Sequence, residues 1–273
     1  MELSLSFSPC PNDTFIFDAL VNGKIDTEGL SFKIVMDDVE GLNHAALKGL
    51  PDISKISYAA WPRLSSQYAL LSAGSALGRG VGPLLITADR QLKDLPEDLV
   101  VALPGELTTA HLLFTYAFPG HQLKQFMRYD QIQEFVLSGK GAGVIIHENR
   151  FTYPSLGLHL MMDLGSYWEK KTGHLIPLGG IVMKKSFPSA LRLKVDELIR
   201  KSIEYNRKMY PALSEFIVCH AQEMDETVMR NHIDLYVNEY SENLGLEGES
   251  AIRNLTLIHD SIYGGNPENN SLY

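Results

Sequence analysis

Short apolar runs rich in β-branched residues alternate with segments of helical spacing, and this alternation limits the possible folds more than any other feature of the chain. Residues 3–7 (LSLSF), 30–36 (LSFKIVM), 52–57 (DISKIS), 99–103 (LVVAL) and 142–146 (AGVII) read as strands. Residues 12–23, 39–49, 108–118 and 132–139 read as helices. Asn12 or Asp13 is the expected cap of the first helix, since a side-chain oxygen there can accept an orphan backbone N–H. Repeated strand-then-helix units predict parallel sheets covered on both faces.

Two breaks distribute these units over two sheets. The charged, proline-containing RQLKDLPEDL at 90–99 follows the apolar GPLLITA, and IPLGGIVMKKS at 176–186 reads as a strand returning from the second block. The predicted α/β architecture has two lobes: residues 1–88 together with 180–273, and residues 89–179. Two crossings near 86–98 and 175–182 join them. From Pro188 onward the chain is helical, with core stripes at Leu191, Val195, Leu198, Ser202 and Tyr205, and at Val228, His232, Leu235 and Tyr236. The glycines of GSALGRGVGP lack the strand-before, helix-after setting of a dinucleotide loop and read as close backbone packing near a crossing.

Charge and composition remove several functions. A formal net charge of −9 with no Lys/Arg run opposes a nucleic-acid partner, whose phosphates are neutralised by clustered cations. A small organic ligand is expected instead. No segment approaches the roughly 18 apolar residues of a membrane span. The start, MELSLSFSPCPNDTF, has neither the basic nor the apolar region of an export signal, so the expected location is the cytoplasm. Cys10 and Cys219 stand outside any C-x-x-C, the histidines show no metal spacing, and H-E-N-R-F is not H-E-x-x-H. The expectation is no metal and no cofactor.

Ligands of open α/β sheets bind beyond the carboxyl ends of strands. Four groups fall there: Ser8 to Asp13, Lys55 to Tyr58, Thr108 with Thr109, and His147. Histidine suits proton abstraction near pH 7, but a lone histidine at a strand exit equally fits a structural role. Glu148 could orient the ring only if the chain were not extended there, because adjacent side chains on a strand point oppositely. Thr108 and Thr109 open a helix after a Pro-Gly turn, which fits either plain capping or an anion site for a carboxylate. Lys55 reads as a ligand group or as an ordinary solvated lysine. Cys10 reads as a small packed residue.

The segments SPCPNDTF, KISYAA, ALGRGVGPL, PGELTTA and IIHENRFTY, followed by DLGSYWEKKTG and YVNEYS, resemble in order the 1,4-dihydroxy-6-naphthoate synthases of the futalosine route to menaquinone. The resemblance implies the two-lobed fold of type II periplasmic binding proteins. It implies a cofactor-independent lyase that converts cyclic de-hypoxanthine futalosine to 1,4-dihydroxy-6-naphthoate. It further implies His147 as proton acceptor, and Lys55, Ile56, Ser57, Thr108 and Thr109 as substrate-binding residues. The alternatives are a chorismate dehydratase-like enzyme of the same pathway and a non-catalytic small-molecule binding protein of the same fold.

Overall fold

Leu3, Leu5 and Phe7 lie on one face of the first strand and are fully buried, as the period of two requires. The computed structural model describes residues 1–223, 225–265 and 272. Its strands are β1 (Glu2–Phe7), β2 (Ser31–Met36), β3 (Ile53–Ser57), β4 (Tyr68–Leu70), β5 (Ala76–Gly78), β6 (Leu84–Thr87), β7 (Val101–Leu103), β8 (Lys124–Phe126), β9 (Ala142–Ile145), β10 (His159–Asp163) and β11 (Ile176–Lys184). They form two sheets. The first has the order β2-β1-β3-β11-β4 with β5 also on β11, and the second has the order β10-β6-β9-β7-β8.

Each sheet is mixed rather than wholly parallel. β1 pairs parallel with β2 and β3, and β7 pairs parallel with β8 and β9. β11 runs antiparallel to β3, β4 and β5, and β6 runs antiparallel to β9 and β10. The physical reason lies in the connections: β6 and β11 enter from the opposite sheet, so no local strand-helix-strand crossover fixes their direction.

The chain first passes between the sheets in residues 79–83, earlier than the break at 86–98. The run GPLLITA could have joined either sheet, and its register against β9, with Leu84 opposite Ile145, places it in the second. The return covers the helix Leu164–Thr172 and ends at β11. The crossings touch through glycine: a Cβ on Gly82 would sit 2.3 Å from the Cα of Gly165. Of the glycines of GSALGRGVGP, Gly82 thus provides backbone packing, whereas a Cβ at Gly74 or Gly78 would meet side chains and one at Gly80 open space. Arg150 straps the same crossing through its guanidinium to the Gly82 and Gly80 carbonyls.

One hydrophobic cluster runs through both sheets, joining Ile56 and Leu70 of the first to Val101 and Leu103 of the second, with Phe114 and Trp168 beside them. A side chain of this size contributes about 1.5–3 kcal/mol when fully buried. The helix Ser189–Met209 buries Val195, Leu198, Ile199, Ser202 and Ile203 against a second cluster under the first sheet. The predicted stripe therefore forms, with Tyr205 at its margin.

Candidate active site

Between the sheets lies a cleft with about 720 Å³ of empty space, part of it open to solvent, and all six sequence-predicted site residues line it: Lys55, Ile56, Ser57, Thr108, Thr109 and His147. Its position beyond the carboxyl ends of β1, β3 and β9 is where open α/β sheets leave a crevice.

The first-sheet wall is built on a buried charge pair. Lys55 is 5% exposed, and its ammonium lies 2.9 Å from Asp13 and donates to the Gly74 carbonyl at 3.1 Å. Asp13 is not the helix cap. The helix Pro11–Val21 starts after Cys10, whose thiol makes no cap hydrogen bond, and Pro11 in the first turn removes one of the orphan N–H groups. Asp13 instead accepts from the Ser8 hydroxyl at 2.7 Å and from Asn12 at 2.9 Å, and this satisfies its carboxylate away from water. Ser57 is held by Asn43 of the helix Val39–Leu47. Its N–H donates to Asn43 at 2.8 Å, and its hydroxyl accepts from the Asn43 amide at 3.1 Å.

The two threonines work differently from the simplest expectation. The Thr108 hydroxyl caps the helix Thr109–Ala117 by accepting from the His111 N–H at 3.2 Å, and it donates to Gly105. The Thr109 hydroxyl donates to the Leu178 carbonyl at 2.8 Å and accepts from the Ala59 N–H at 3.2 Å, so it ties the second sheet to the first. Both hydroxyls are committed within the protein. What the helix turns toward the cavity is its amino end, whose first-turn amides have no carbonyl ahead of them.

His147 follows β9 with φ at +57°, a left-handed conformation uncommon outside glycine. The strand therefore does not continue through it, and no hydrogen bond joins Glu148 to its ring among the described residues. Ligand-type atoms of Cys10, His147 and Glu148 lie within 4.8 Å of one another. Burial and the nearby Glu148 raise the Cys10 thiol well above its ordinary range, and burial raises the Glu148 carboxyl. Tyr129 meets the His147 ring edge-on at 4.9 Å, and His232 stacks on it at 6.0 Å. The His147 Nε2 is buried and has no hydrogen-bond partner among the described residues. Burial lowers the imidazole to about 4; Asp13 opposes that shift, and Lys55 reinforces it.

Sequence reasoning did not single out Arg150, His232 and Tyr236, which line the cavity, or Asn43, which holds Ser57 behind it; Cys10 does not line the cavity. The register of His232 and Tyr236 on one helix face was visible, yet a stripe facing a cavity has the same spacing as one facing a core.

A family model described as menaquinone biosynthesis matches residues 3–259. The chain is 43% identical over 254 residues to the 1,4-dihydroxy-6-naphthoate synthase of Thermus thermophilus, covering 93% of this chain and 92% of that protein. Its structure is similar to protein AF1704 from Archaeoglobus fulgidus, with a TM-score of 0.89 at 27% identity over 95% of this chain and 97% of that one. It is also similar to the alkanesulfonate-binding protein SsuA from Xanthomonas axonopodis pv. citri, with a TM-score of 0.69 at 11% identity over 96% and 93% of the two chains. The last likeness shows the fold alone, that of the periplasmic binding proteins, as expected.

Proposed function

The chain belongs to the menaquinone biosynthesis family of 1,4-dihydroxy-6-naphthoate synthases, and from that membership we propose that it converts cyclic de-hypoxanthine futalosine to 1,4-dihydroxy-6-naphthoate with His147 as proton acceptor. The observation that carries the base is a buried, unpartnered Nε2 in the cavity wall whose ring stays neutral down to about 4. Releasing an aromatic ring from a cyclised precursor requires a proton to leave beside a carbonyl and a bond to break, with aromaticity as the driving force. A neutral imidazole can take that proton. Burial that keeps the ring neutral also weakens it as a base. The carboxylate of bound substrate, entering the same cavity, counters this by favouring the imidazolium.

The remaining roles follow from charge and geometry. The amino end of the helix Thr109–Ala117 offers N–H groups and a positive dipole end to the substrate carboxylate. Lys55, Ile56 and Ser57 form the opposing wall, with Lys55 fixed by Asp13. Such an elimination is redox-neutral and asks for no electron carrier.

The test uses purified protein dialysed against a chelator and incubated separately with the cyclic futalosine derivative and with the substrate of a chorismate-type dehydratase, followed by mass analysis. Naphthoate product is expected from the first alone. His147→Asn should fold, retain affinity for product and lose about 100- to 10,000-fold in turnover. Near wild-type turnover in that variant would remove His147 from the role. Activity lost on chelation and restored by one divalent metal would instead make Cys10, His147 and Glu148 a metal site.

A further inference from the structure

We propose that His232 is a second catalytic residue, whose ring N–H donates a hydrogen bond to the substrate oxygen that gains negative charge as His147 takes the proton. The proposal rests on the lyase reading above and deepens it. His232 is 0% exposed, lines the cavity, and stacks on His147 with centroids 6.0 Å apart and planes 26° apart. Neither of its ring nitrogens has a hydrogen-bond partner among the described residues. A neutral imidazole always carries one donor and one acceptor, so this ring buries both without compensation inside the protein. A leucine or phenylalanine would fill the same space at no such cost. The missing partner is supplied by what occupies the cavity.

The protonation state fits a donor that stays neutral. Burial, His147 and Lys55 all lower the His232 imidazole well below its ordinary value. A neutral histidine that polarises a carbonyl without transferring its proton is a known catalytic arrangement.

The chemistry balances without a further reagent. His147 Nε2 removes the proton, and the electron pair moves onto the adjacent carbonyl, giving an enolate-type oxygen held by the His232 N–H. Collapse of that electron pair breaks the bond to the departing sugar carbons, and the proton on His147 passes to the departing fragment. His232 begins and ends neutral. The two rings come from different parts of the fold, His147 after β9 of the second sheet and His232 from the helix Glu226–Tyr236.

The experiment compares wild type, His232→Phe, His232→Gln and His147→Asn in turnover and in binding of 1,4-dihydroxy-6-naphthoate. Phenylalanine keeps the ring and removes both nitrogens; glutamine keeps an N–H donor. His232→Phe should lower kcat by about 100- to 1,000-fold, the usual loss for one oxyanion donor, with KM nearly unchanged. His232→Gln should recover at least a tenfold part of that loss. In nuclear magnetic resonance, a ring N–H signal of the wild type, assigned by its absence in His232→Gln, should move downfield when product is added. Turnover of His232→Phe within a few-fold of wild type overturns the proposal, as does an equal loss in both His232 variants. If His232→Phe fails to fold, the N–H signal decides: no shift on product binding overturns the proposal. A dead His147→Asn beside an active His232→Phe would leave the lyase reading standing and reject this one. Absence of product from wild type would reject the lyase reading itself.

Discussion

At pH 7 the ring of His147 is uncharged because burial opposes protonation and Lys55 adds to the opposition, while Asp13 only partly offsets them. The sign matters for the pH profile. A base whose value is lowered from 6.5 to about 4 remains competent until the pH falls to about 4. The acid limb of kcat/KM for the free enzyme should therefore lie near 4 rather than near 6.5. Steady-state rates between pH 3.5 and 8, on enzyme that regains full activity when returned to pH 7, would show it. A limb near 6.5 would mean that a solvated histidine, or a different group, is the base. The left-handed backbone at His147 belongs to the same scale: it ends the run of β9 there, and ligand-type atoms of Cys10, His147 and Glu148 lie within 4.8 Å of one another.

Short elements hold the site through polar contacts that reach across from one element to another. Asn43 is fully buried and spends its amide on both the N–H and the hydroxyl of Ser57. Asn43→Ala would leave the Ser57 N–H buried without an acceptor, a cost of about 1–3 kcal/mol. The expected outcome, on the reading proposed above in which β3 positions substrate and does not take the proton, is a lowered melting temperature and a raised KM with little change in kcat. A fall in kcat at unchanged KM would place Ser57 in the chemistry. The Pro-Gly turn before the helix Thr109–Ala117 has a similar positioning task. Gly105 has φ at +153°, and a Cβ there would lie 2.5 Å from the Glu40 carboxyl carbon. The Glu40 carboxylate is thereby free to accept from the Leu107 N–H at 3.1 Å.

The whole molecule is held around the cavity by contacts between the sheets. Glu40 bonds Leu107, Thr109 bonds Leu178 and Ala59, and one apolar cluster continues across both sheets. These contacts form a latch, and we expect substrate to be admitted by loosening it and enclosed by re-forming it, with exclusion of water strengthening each polar contact. Thr109→Val removes the hydroxyl and leaves the Leu178 carbonyl and the Ala59 N–H unpaired. Small-angle scattering of that variant should show a larger radius of gyration than wild type, with compaction on addition of 1,4-dihydroxy-6-naphthoate. Identical radii in both proteins, free and loaded, would mean that the site is preformed and the second sheet is a fixed wall.

The alternation of apolar runs and helical segments determined the α/β class and most elements, because periodicity is a local property of the chain. The ordered motifs carried the family. The sequence also supplied six residues that meet in one cavity, since strand ends and helix starts are local features too. What it left open depended on partners far along the chain. Strand direction and the membership of β6 were decided by pairing with β9 and β10, and the three-residue strands β4, β5 and β8 are too short to show a period. Whether Lys55 is solvated or buried was decided by Asp13, 42 residues away, and that His232 faces the cavity against His147, 85 residues away, was decided by how the sheets pack. These are tertiary facts: burial, orphaned nitrogens and shifted protonation exist only once two sheets close on one space.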